Sequence, residues 1–182
     1  MIGSFWKALR GLAGQLVVGD IQENLFIAGF SFSWEDYLEY LADEEKIIVF
    51  DPTACSCAQI IFRPLIFAAN AGPIKIDIYT EASYDAETGT LLGQSNRRET
   101  SSIPSEAILR LNPTNFSGTK FAGDLVPSNG AAAPNASGNS NQQGLPFEID
   151  LTKIKAIGLT NTDGNGVLVS HKLTWFEVPA GF

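Results

Sequence analysis

The sequence predicts an all-β protein, an antiparallel β-sandwich of the jelly-roll type that carries an N-terminal arm. Three observations lead there. About eight short runs rich in Val, Ile, Phe and Tyr follow one another from residue 46 onward. Gly, Pro and Asn punctuate the gaps between them. After residue 45 no stretch carries a long helical periodicity. At 182 residues and 45% hydrophobic composition, the length suits one domain with a sizeable core. The chain divides into an arm with an acidic connecting segment over 1–45 and a sandwich domain over 46–182. A flexible loop interrupts the sandwich at 127–144.

Taken in order, residues 1–19 stand apart. Ile2, Phe5, Trp6, Leu9, Leu12, Ala13 and Leu16 recur at helical spacing, with Lys7 and Arg10 off that face and no acidic residue. Gly11 and Gly14 weaken a free-standing helix here. The segment reads as a short helix packed on its own body, as an arm docking on another subunit, or as a membrane-surface helix. In the second reading Ile2, Phe5, Trp6, Leu9, Leu12 and Leu16 are the partner-binding residues. Residues 20–51 reverse the charge, with nine acidic side chains against Lys46 alone. Around 34–41 either helix or strand fits, residues 43–45 read as a solvated turn, and 46–50 is a strand.

Residues 59–67 form a continuous apolar strand in which Pro64 signals a bulge or an edge. Residues 74–79 alternate, placing Ile74, Ile76 and Ile78 inward and Lys75, Asp77 and Tyr79 outward. A polar loop follows at 85–93, then a strand or a turn of helix at 106–111 and a strand at 119–126. The stretch 127–144 is small, polar and uncharged, unable to bury a core. Strands at 145–151, 155–160 and 167–178 complete the sheets.

Residues 161–166 test the case for a metal. Asn161, Asp163 and Asn165 alternate ahead of Gly166, as in a calcium loop. Such a loop needs a bidentate Glu at its twelfth position, and Lys172 stands there. Asp-Gly and Asn-Gly are instead hairpin signals, so the expectation is a hairpin between flanking strands.

Other chemistry is equally sparse. His171 is the single histidine and shares a strand face with Val169, Leu173 and Trp175. Cys55 and Cys57 are too close for an unstrained disulfide and lack partners for a structural zinc site, so free thiols are expected. No hydrolase elbow, phosphate loop or dinucleotide fingerprint occurs. A net charge of −8 disfavours nucleic acid, and no apolar run reaches the length of a membrane span. Lys7 and Arg10 break any secretion signal, which implies synthesis in the cytoplasm. The expectation is a non-enzymatic protein without metal or cofactor whose work is binding and assembly. Tyr79, Tyr84 and Trp175 are the candidates for an alternative role in sugar stacking.

Three stretches carry a resemblance. Phe50–Asp–Pro–Thr53 ends a strand, Gly72–Pro73 leads into an alternating strand ending at Tyr79, and residues 159–178 run from Leu-Thr-Asn-Thr to Trp-Phe-Glu-Val. All three lie within 47–178, and they resemble small jelly-roll virion proteins of tailed bacteriophages, in particular the head decoration or cement proteins. The resemblance implies a capsid-surface location, a major capsid protein as partner, a homo-oligomer with a trimer favoured, and no catalytic residues. It is compatible also with a tail, neck or baseplate component.

Overall fold

In this computed structural model the described residues are 24–69, 72–126 and 147–181. A short helical turn over 24–28 precedes eleven strands: β1 (Ser31–Tyr40), β2 (Glu45–Asp51), β3 (Gln59–Ala69), β4 (Ile74–Ser83), β5 (Thr90–Leu91), β6 (Ser95–Asn96), β7 (Ile108–Leu111), β8 (Ser117–Val126), β9 (Phe147–Ile149), β10 (Lys155–Asn161) and β11 (Val167–Val178). They form a five-stranded sheet ordered β6-β1-β11-β3-β9 and a six-stranded sheet ordered β5-β7-β2-β10-β4-β8.

The pairing has a simple rule. β1 pairs with β11, β2 with β10, β3 with β9 and β4 with β8, all antiparallel. Each early strand thus meets a late one in reverse order, as if one long hairpin had been rolled up. β11 then also pairs with β3, and β10 with β4, which closes the roll into two layers. Eight strands connected in this way make a jelly roll. The remaining three belong to the excursion between β4 and β8. It lays β6 along the edge of β1 and β5–β7 along the edge of β2, covering one open side of both sheets.

Alternation along the strands builds the core. Phe32, Trp34, Tyr40, Leu173 and Trp175 face Ile48, Phe50, Ile76, Ile157 and Leu159 across the layers. The Phe50 ring meets Trp175 edge-on at 5.5 Å and Phe62 at 4.8 Å. Edge-to-face contact suits the ring quadrupoles and adds about 0.5–1.5 kcal/mol per pair beyond burial. A smaller cluster lies outside the six-stranded sheet, where Val49, Ala82 and Ala156 pack with Tyr79, Tyr84 and Phe116. Pro64 does mark a bulge. The β3–β11 register slips between the pairs Thr174↔Arg63 and Lys172↔Ile66, so a strand that lacks one donor is accommodated.

Four expectations change. The boundary at 45 moves toward the N-terminus, because β1 lies inside the sandwich between β6 and β11, and Phe32, Trp34 and Tyr40 are core residues. The turn at 162–166 is present, but it is not a hairpin. β10 and β11 lie in opposite sheets, so the turn is an arch between layers. Asp77 points outward yet is only 4% exposed, because Lys75 and Lys120 close over it. The polar loop at 85–93 contributes the short strand β5. The expected arm at 1–19 and the flexible loop at 127–144 lie outside the described residues.

Candidate functional site

The sandwich has two places where polar chemistry is concentrated. The first is the corner where the β1–β2 and β10–β11 arches run side by side. Asn161 is fully buried there. Its amide nitrogen donates to the carbonyls of Leu41 at 2.9 Å and Asn165 at 2.7 Å, with Tyr40 at 3.4 Å. Its Oδ1 accepts the backbone N–H of Asp163 at 2.9 Å, and its own N–H donates to Glu44 O. One side chain therefore staples both arches. The β3–β4 turn joins the same corner, since Thr162 donates to Pro73 O through both its N–H and its hydroxyl. Gly72 lies so near Asp163 that a Cβ would come within 2.7 Å of it. The oxygens and amides that suggested a calcium loop hold this corner together.

His171 lies in the core just behind. It is fully buried, its Nε2 is 2.9 Å from the Tyr40 hydroxyl, and the rings of Tyr40 and Trp34 flank it. Burial lowers its pKa to about 4, so the ring is neutral at physiological pH. Burial likewise pushes the Tyr40 hydroxyl up, with Glu44 adding to the effect. The ring is thus a neutral group hydrogen-bonded to a buried phenol within the core.

The second place is the opposite end of the sandwich. Glu177 sits on the inward face of β11 and is 4% exposed. It accepts from Trp175 Nε1 at 3.1 Å, Ala107 N at 3.2 Å, Glu106 N at 3.0 Å and the Ser105 hydroxyl. The carboxylate thereby ties the β6–β7 connection onto the core. Sequence reasoning passed over it, although its position two residues after buried Trp175 marks an acid on the core side of the strand. Beside it lie the free thiols Cys55 and Cys57, half-buried. Burial and then the Glu177 charge push both thiols up, which keeps them protonated and weakly nucleophilic. Among the described residues no three His, Cys, Asp or Glu side chains are grouped to hold a metal.

The surface supplies the rest. On the outer face of the six-stranded sheet, burial alone would raise the Asp77 pKa. Hydrogen bonds from Lys120 and Lys75 outweigh that and hold it below the usual range. Tyr79 packs edge-on against Phe116, and Tyr84 donates to Asp51. Of the three expected sugar-stacking rings, Trp175 is fully buried and Tyr79 and Tyr84 are partly buried. Tyr37 (64%) and Phe121 (60%) are the more open aromatics. Tyr37 sits between Glu35 and Glu39 on the outer side of β1, opposite Ser170, which makes that face aromatic and acidic. The expected partner-binding residues Ile2, Phe5, Trp6, Leu9, Leu12 and Leu16 lie outside the described residues.

Compared with known proteins, the chain matches no family model and no curated protein. The reading of its role therefore stands on the fold, these surfaces and the sequence motifs.

Proposed function

We propose that the chain is a structural virion protein of a tailed phage, a decoration protein that stabilises the head by bridging capsid subunits. One observation carries this reading. Two of the three stretches that carry the resemblance meet at one corner, where the Gly72–Pro73 turn packs on the β10–β11 arch, while Phe50–Thr53 ends β2 at the opposite end of the same sheet. The meeting of these two stretches supports the resemblance at the level of the fold. The buried polar groups support the same reading, since His171, Asn161, Glu177 and Asp77 each serve the fold. In this role the protein acts as a rigid block, without catalysis, and its arm supplies the grip. Phe5, Trp6 and Leu9 each contribute about 2 kcal/mol if buried in a capsid groove, and repetition over a lattice multiplies a modest contact.

The test is quantitative. Purified particles are examined for the protein by mass spectrometry, and its position by electron microscopy. The expected result is a copy number that matches the capsid lattice, with density on the head surface. A copy number matching the tail's symmetry moves the protein to the tail, neck or baseplate. Absence from particles overturns the virion reading.

A further inference from the structure

The staple at the corner has a chemical weak point. Asn165 is followed by Gly166, and both are exposed in the arch between β10 and β11. Four other asparagines among the described residues differ. The Asn96 amide is held by Gly29 O at 2.6 Å and Ile103 O at 2.9 Å. That of Asn161 is held by the carbonyls described above. Asn112 precedes Pro113, which has no backbone N–H to react. Asn115 gives its amide to Asp85 at 2.6 Å and precedes the bulky Phe116. The Asn165 amide makes one long contact, 3.5 Å to Asp163 Oδ1.

We infer that Asn165–Gly166 is a site of spontaneous deamidation and backbone isomerisation, and that its isoaspartyl product releases the Asn161 staple. The Gly166 nitrogen attacks Asn165 Cγ, forming an N–C bond. The Cγ–Nδ2 bond breaks and ammonia leaves. Water then opens the resulting ring at either carbonyl. Opening at Cγ gives an ordinary aspartyl link. Opening at the main-chain carbonyl routes the chain through Cγ and turns the former backbone carbonyl into a free carboxylate. No oxidant or reductant is involved. The oxygen lost from the main chain is the one that accepts Asn161 Nδ2 at 2.7 Å. The loop becomes one atom longer, and a new negative charge arises beside Asp163. The corner thus carries a clock set by time and pH.

The experiment ages the full chain at neutral and mildly alkaline pH in isotopically heavy water. Peptide mapping then locates the modified residue, which separates this pair from the Asn–Gly at 129–130. Conversion is expected at 165 ahead of 96, 112, 115 and 161, with an isoaspartyl fraction whose melting temperature is lowered. Gly166→Ala is the control. A Cβ there meets Tyr40 O at 3.7 Å and Glu39 Oε1 at 3.8 Å, ordinary contacts, so the variant folds. It slows conversion on the order of tenfold, because glycine's conformational freedom is lost. Absence of conversion at 165, or an equal rate in Gly166→Ala, overturns the site. An isoaspartyl form that melts with the unmodified protein overturns the release of the staple.

Discussion

His171 shows how much one buried side chain decides. Its pKa is about 4 in the folded protein against an ordinary value of 6.5. The unfolded chain therefore takes up a proton first as pH falls, and stability drops between about pH 6.5 and 4. At pH 4.5 the loss is on the order of 2–3 kcal/mol, from roughly 1.4 kcal/mol per pH unit over that window. Asp77, Glu44, Glu81 and Asp150 have lowered values, so their contributions disappear only at more acidic pH. The chain has one histidine, which leaves the upper limb to His171 among the side chains. Denaturation midpoints measured from pH 7 to 4.5 should fall in the native chain and stay nearly flat in His171→Gln, which can still bond Tyr40. An equal slope in both would place the titration elsewhere. The face of this residue was legible from its register with Val169, Leu173 and Trp175. Its phenol partner was not, since Tyr40 is 131 positions away and only the roll brings them together.

At the level of elements, chain reversals and strand limits were readable, and pairing was not. β11 runs over Val167–Val178, as the β-rich run suggests. The bulge at Pro64 follows from its missing donor. The segment around Trp34 looked ambiguous because Asp36 shares the parity of Phe32, Trp34, Leu38 and Tyr40 yet is exposed, which blurs the period of two. An Asp-Gly-Asn-Gly turn states that the chain reverses. It does not state whether the next strand pairs beside the last one or crosses to the other layer. What selects the arch is tertiary: Asn161, Pro73 and Gly72 clamp the turn from the neighbouring connections. Gly72 tests this. Its φ of +65° and a Cβ position 2.7 Å from Asp163 leave no room for a side chain. Gly72→Ala should lower stability by about 2 kcal/mol in chemical denaturation. Gly164, in the same corner, has nothing within 4 Å of its Cβ position, and its alanine variant should change stability by less than about 0.5 kcal/mol. Equal effects at both positions would mean that the corner yields, and the clamp would not explain the arch.

For the whole molecule, fold class followed from composition and turn spacing, and jelly-roll connectivity from the strand number together with the resemblance. The edge-covering excursion was invisible, because strands as short as β5 and β6 are defined by the edges they meet, not by their own residues. The domain limit was misplaced for a related reason: acidic outward positions in β1 disguised a strand whose inward residues fill the core. That correction sharpens the test of the arm. A truncation removing 1–45 deletes β1, leaving β11 without its neighbour and the core without Phe32, Trp34 and Tyr40. Loss of one such core aromatic costs about 3–5 kcal/mol, and loss of all three exceeds the stability of an ordinary domain. This protein should fail to fold. A truncation removing 1–19 keeps Leu25, which is fully buried, and every strand. It should give a soluble body with a cooperative thermal transition, and it should bind particles much more weakly than the full chain. Phe5→Ala combined with Trp6→Ala should reproduce most of that loss, since short helices gain little without a groove to receive them. Aggregation of the shorter truncation would assign residues 1–19 to the protein's own core. Full occupancy on particles without them would move the binding surface to the β-body, where the aromatic and acidic face of β1 becomes the region to substitute next.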